Sequence, residues 1–149
     1  PFRQTFWRID QLPGLDVQDQ AKLLAGGIPT TQDLLQRTNT PARKQLLAAQ
    51  LQIHLQHVLK WAALADLARI PIVGCQYCGL LLHAGISSPA QLAQTPLPRL
   101  HKLILRFYVA NLQQPELCPP REALLVWIQQ AKEVDRADRS WRQSNPRLL

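Results

Sequence analysis

The sequence predicts an all-α fold: two tandem helix-hairpin-helix-like units, each followed by a longer helix and a tryptophan-containing helix, packed as one compact domain. Three observations carry this expectation. Leu, Ala and Gln dominate a chain that is 46% apolar and only 6% aromatic, and β-branched residues are few, which favours helix over strand. Apolar side chains recur at spacings of three, four and seven, the spacing of one helical face. The chain also repeats itself. Leu12-Pro13 matches Ile70-Pro71, Leu23-Leu24 matches Leu81-Leu82, Gly27-Ile28 matches Gly85-Ile86, Thr30 matches Ser88 and Leu34 matches Leu92, all at an offset of 58 residues. A fixed offset over five anchors is the signature of an internal repeat.

Each element follows in order. Pro1 to Ile9 holds Phe2, Phe6 and Trp7 among Arg3 and Arg8. Aromatics this dense predict a segment docked on the core. Pro13 and Gly14 form the first hairpin, Asp16 is placed to cap the following helix, and Asp19 suits its positive end. Gly26 and Gly27 stop that helix, and Thr30 caps the next. Thr40-Pro41 opens a longer stretch with Leu46, Leu47, Leu51 and Leu55 inside. No Gly or Pro occurs from 42 to 70. The apolar phase shifts from Leu51 and Leu55 to Val58 and Trp61, so a break is expected near Gln52-Ile53-His54. The first tryptophan helix holds Leu59, Trp61, Leu64 and Leu67.

In the second unit Pro71 and Gly74 mark the hairpin, and Leu81 and Leu82 the buried side of a short helix. Gly85 is the left-handed stop that glycine adopts without steric cost. Ser87-Ser88-Pro89 starts the next helix. Pro98 opens the second long helix, with Leu103, Ile104, Tyr108 and Leu112 inside. Glu116-Leu117-Cys118-Pro119-Pro120 reads as extended. The closing helix holds Leu124, Leu125, Trp127, Ile128 and Ala131. From Asp135 the apolar pattern fades. Repeat 1 therefore spans about 9–65, repeat 2 about 66–134, and about 135–149 reads as a poorly packed tail in which Trp141 alone is a candidate for docking.

These residues resemble an uncharacterised bacterial family, common in cyanobacteria, of helix-hairpin-helix-like domains of unknown function. Trp61-Ala62-Ala63-Leu64-Ala65-Asp66-Leu67-Ala68-Arg69-Ile70 before a Pro/Gly hairpin carries the likeness. So do Tyr77, Leu81-Leu82, Ala84-Gly85-Ile86, Leu92-Ala93, Trp127-Ile128 and Ala131-Lys132. It covers roughly Leu12 to Val134. The resemblance implies the domain type and no activity. Pro71-Ile72 and Cys75-Gln76 depart from the family's hairpin glycine and acidic pair.

Lys and Arg number 17 against 10 Asp and Glu, a net charge of +7. Such a surplus suits nucleic acid, acidic proteins or anionic surfaces without choosing among them. Phosphate binding at the hairpins is disfavoured. Asp16 and Asp19 follow the first, and the second has one glycine, Gly74, and no Lys or Arg before Arg99. Arg43 and Lys44, with Arg99, Lys102 and Arg106, lie on the matched long helices. The last three form one stripe, which is either a solvated face or an electrostatic surface. Cys75-x-x-Cys78 and His54-x-x-His57 have the spacing of zinc half-sites, but Cys78 reads as a small core residue. No nucleophile, base and orienter assemble, and Asp66 next to Arg69 reads as structural, either an i,i+3 ion pair or a cap on the hairpin N–H groups. No metal or other cofactor is expected.

Three cysteines without a secretory signature suggest reduced thiols in a cytoplasm. No apolar run is long enough to span a bilayer. A chain that begins at Pro1 and contains no methionine reads as processed or as part of something longer. The expected function is a non-catalytic binding module, an adaptor or assembly factor for another protein of unknown identity. The alternative is sequence-independent nucleic-acid binding through Arg43, Lys44, Arg99, Lys102 and Arg106.

Overall fold

In the computed structural model, which describes residues 2–148, eight α-helices and no strands occur among the described residues. They are α1 (Val17–Ala25), α2 (Thr31–Arg37), α3 (Pro41–Leu51), α4 (Leu55–Ala68), α5 (Gly74–His83), α6 (Pro89–Ala93), α7 (Leu97–Ala110) and α8 (Arg121–Ser144). Side-chain caps open four of them as their sequences predict. Asp16, Thr30, Thr40 and Ser88 each accept a hydrogen bond from the backbone N–H three residues on, satisfying one of the donors a helix start leaves free.

The stops of α1 and α5 match bond for bond. Ile28 N–H donates to the Leu23 carbonyl at 2.9 Å and Ile86 N–H to the Leu81 carbonyl at 2.9 Å. Gly27 and Gly85 donate to Leu24 and Leu82, both at 3.1 Å. Both glycines have positive φ, +81° and +96°. This is the paired-bond stop in which the residue after the left-handed one folds back onto the helix. Leu23, Ile28, Leu81 and Ile86 are buried accordingly.

The break between α3 and α4 falls where the apolar phase shifts. Gln52 takes the left-handed conformation (φ +53°) and His54 Nδ1 accepts from Gln56 N–H at 3.1 Å. α4 then runs through the middle of the protein, packed against α2, α3 and α5. Val58, Trp61, Ala62, Leu64, Ala65, Leu67 and Ala68 are all buried. A helix apolar on most of its circumference has to be central. α5 joins α4 to α7, and α8 covers α6 and α7. Trp127 of α8 stacks on Tyr77 of α5 with ring centroids 4.8 Å apart.

The amino-terminal segment is a strap across the two halves of the chain. Trp7 N–H donates to Thr31 Oγ1 at 2.9 Å, and Thr31 N–H to the Trp7 carbonyl at 2.8 Å, at the start of α2. The Trp7 indole N–H donates to the Ala68 carbonyl at 2.9 Å, and Thr5 N–H to the Arg69 carbonyl at 3.0 Å, at the end of α4.

Trp7 also explains Gly74. That residue has φ +52°, and a Cβ placed on it would lie 2.8 Å from Trp7 Cζ2. The ring is held in place by its indole hydrogen bond to the Ala68 carbonyl. Gly74→Ala is expected to cost about 2–3 kcal/mol, from the left-handed backbone and the displaced ring together. In urea denaturation its cost should fall once Trp7→Ala is also present. Strictly additive costs would show that the ring is not the obstacle.

Several side chains sit differently from the sequence expectation. Leu24 and Leu46, read as inward, are 54% and 56% exposed, and Leu112 lies beyond the end of α7 and is exposed. Within Glu116–Pro120 the chain first completes a short 3-10 turn over Pro115–Leu117 and only then extends. The largest difference is the tail. α8 continues unbroken to Ser144, with Val134 and Asp135 buried. An amphipathic helix edge rich in Arg and Asp looks solvated by composition, yet here one face of it reaches the end of α4.

Candidate functional site

An open cleft of about 710 Å³ lies where the strap, α2, α3, α4, the α5–α6 connection and the end of α8 meet. Arg69, just past the end of α4, forms its polar floor, with a side chain only 11% exposed. Its Nε donates to Asp66 Oδ1 at 2.9 Å. Its Nη1 and Nη2 donate to Asp138 Oδ1 and Oδ2, both at 2.9 Å, a two-pronged grip that suits the planar guanidinium fork. Gln4 of the strap accepts a further bond from Nη1 at 3.2 Å. Asp66 and Arg69 are close because they are three apart at a helix end. Asp138 comes from 69 residues away in the chain.

The electrostatics follow from this packing. Burial pushes the Asp66 carboxyl above its ordinary value, and the neighbouring Arg69 only partly offsets it. Lys44, across the cleft, adds a smaller attraction. Burial works against the Arg69 charge, but Asp138 and Asp66 outweigh it and hold the guanidinium above its ordinary value. Two carboxylates and one guanidinium thus spend their hydrogen bonds on one another. The cluster fastens α8 and the strap to α4. It presents no free nucleophile.

The rim is different in kind. Phe6 is 39% exposed, Leu59 42% and Trp141 52%, and all three line the cleft. Trp141 therefore does not dock into the core. It stands at the cleft edge, with its carbonyl accepting from Asn145 Nδ2 at 2.8 Å.

The five basic residues singled out in the sequence divide. Lys44 lines the cleft. Arg43 turns outward and donates to Asn39 at 3.2 Å. Arg99, Lys102 and Arg106 lie exposed on the outer face of α7, opposite the buried Leu100, Ile104 and Tyr108. α3 packs on α2 and α4, and α7 on α5 and α8, so the two groups sit on separate helix pairs.

Both hairpins are occupied from within. Asp16 accepts from Asp19 N–H at 2.7 Å, placing a carboxylate at the head of α1. At the second hairpin Gln130 of α8 accepts from Ile72 N–H at 2.8 Å, and Trp7 covers Gly74. Pro13 and Gly14 line a smaller groove with Lys60 and His83. The cysteines are free. Burial pushes Cys75 up to about 11 and Cys78 to about 12, so both are thiols at neutral pH, the opposite of a reactive or metal-ready thiolate. No cluster of three or more His, Cys, Asp or Glu suited to a metal ion occurs among the described residues. None of the described helices is long and apolar enough to cross a membrane.

The family described as Domain of unknown function (DUF4332) matches residues 13–134. The chain belongs to that family. The DUF4332 match takes in both hairpins and every helix from α1 to α7, and stops at Val134, before Asp138 and Trp141. Phe6, Asp138 and Trp141 therefore lie in flanking sequence, while Leu59, Asp66 and Arg69 lie within the family's span. No curated protein and no solved structure matches the chain.

Proposed function

We propose that this chain is a non-catalytic helical binding module of a bacterial cytoplasm, an adaptor or assembly factor that engages another protein through the cleft beside Arg69. Its frame would be two tandem helix-hairpin-helix-like units. The paired stops at Gly27 and Gly85 and the paired caps at Thr30 and Ser88 support that frame. The observation that supports the function best is the rim. Phe6, Leu59 and Trp141 expose apolar surface around one cleft, and large side chains held in water at a concavity are the common anchors of protein interfaces. The floor beneath them spends its hydrogen bonds internally and offers rigidity in place of chemistry. The internally occupied hairpins favour a shaping role for Pro13, Gly14, Pro71 and Gly74 over a phosphate-binding one.

The test is capture by immobilised protein from a native extract. Any partner held by the wild type should be weakened at least tenfold by Leu59→Glu with Trp141→Ala. Both sites are exposed, so thermal unfolding should be little changed. A partner retained in full by the double variant would place the interface elsewhere.

A further inference from the structure

The charge of this chain is segregated. From Leu34 to Pro115 there are eight Lys and Arg and a single carboxylate, Asp66. That stretch holds the entire surplus of +7, and Asp66 is already bound to Arg69. The surfaces of α3, α5, α6 and α7 therefore carry no acidic side chain at all.

Part of this surface is physically continuous. Lys60 of α4 and His83 at the end of α5 line one groove of about 330 Å³. The His83 ring meets Phe107 of α7 edge-on, with centroids 4.9 Å apart, and its Nε2 lies 3.1 Å from Asn111 Nδ2. In sequence Phe107 follows Arg106, the last cation of the α7 stripe. Lys60, Arg99, Lys102 and Arg106 are all exposed, and none has an ion-pair partner among the described residues. The carboxylate nearest in sequence to the α7 stripe, Glu116, lies past the carboxyl end of α7.

We propose that this ribbon, from Lys60 past His83 to Arg106, Lys102 and Arg99, binds the phosphodiester backbone of nucleic acid without reading its sequence. This is a second surface, independent of the cleft. Three of its four cations, Arg99, Lys102 and Arg106, stand on the outward face of α7 over about 10 Å of rise. That arrangement matches a ligand recognised by repeating charge better than an acidic peptide, whose side chains need fixed pockets. Two of the three stripe residues are arginines, whose planar fork suits phosphate oxygens. Affinity then comes mainly from released counterions and falls steeply with salt.

Fluorescence anisotropy with a labelled 20-base-pair duplex and a 20-nucleotide single strand tests this. With four cations engaged, log affinity against log salt should have a slope of about −3 to −4 on duplex and about −3 on the single strand. Arg99→Glu with Lys102→Glu and Arg106→Glu should lower affinity more than tenfold and flatten the slope to about −1. Arg136→Glu with Arg142→Glu and Arg147→Glu makes the same change in net charge on α8 and beyond, and should stay within about threefold of wild type. Equal losses in both triple variants would show a mere net-charge effect and overturn the proposal. So would polyglutamate competing as well as the duplex, which would make acidic protein the ligand. So would the absence of binding at 10 µM protein in 25 mM salt.

Discussion

Trp127→Ala is expected to remove about 3–5 kcal/mol of folding stability, the usual cost of emptying a buried aromatic site. Trp127 is 2% exposed. It is where α8 grips α5 through Tyr77, so a void there is lined by two helices that cannot close it without shifting. A small domain has only about 5–15 kcal/mol in total, and the variant should be largely unfolded in mild urea. Trp141→Ala is the internal comparison. It removes the same side chain from a position 52% exposed, and should move the unfolding midpoint little. Urea titration of both proteins checks the pair. Equal effects would mean that Trp141 is far more deeply packed in solution than at the rim of the cleft.

The contrast between these tryptophans shows what can be read from a sequence and what cannot. Trp61 and Trp127 have matched places among Leu and Ala at helical spacing, and that pattern alone implies burial. Caps and stops are equally legible. Asp16, Thr30, Thr40, Ser88, Gly27 and Gly85 act on backbone groups within a few residues, so local chemistry determines them. Even the break at Gln52 is local, because the apolar phase has to reset there.

What stays hidden depends on distant contacts. Leu24 and Leu46 have inward neighbours at helical spacing, yet nothing is packed over them. The strap's aromatics announce docking, but only the fold reveals that Trp7 fills the space a side chain at Gly74 would need. The cleft is assembled from segments far apart in the chain, and no local spacing links Phe6, Leu59 and Trp141. The one clue lay in α8. Asp135, Asp138 and Arg139 recur at three and four residues, a helical spacing in polar residues that an apolar-only pattern search passes over. The same holds for Ile72, whose N–H finds Gln130 across 58 residues.

Arg69→Met is expected to cost about 3 kcal/mol at neutral pH, because it strands two carboxylates in place. The Asp66 and Asp138 side chains are 32% and 28% exposed, and removing one partner of a largely buried ion pair leaves an uncompensated charge. Removing all three charges together, Arg69→Met with Asp66→Leu and Asp138→Leu, should recover most of the loss, since no charge is then left behind. The pH dependence gives a second signature. Burial already raises the folded-state value of Asp66 above 3.8, so the folded protein holds that proton more tightly than the unfolded chain. Stability tied to Asp66 is therefore greatest below about 3.8 and declines as pH rises through the raised folded value. Without Arg69 the attraction that partly offsets burial is gone, and that value moves higher still. The gap between wild type and Arg69→Met should accordingly narrow as pH is lowered from neutral toward 3.8. A gap constant over that range would trace the loss to the missing side-chain packing of Arg69, and the three-charge cluster would not be what fastens α8 to α4.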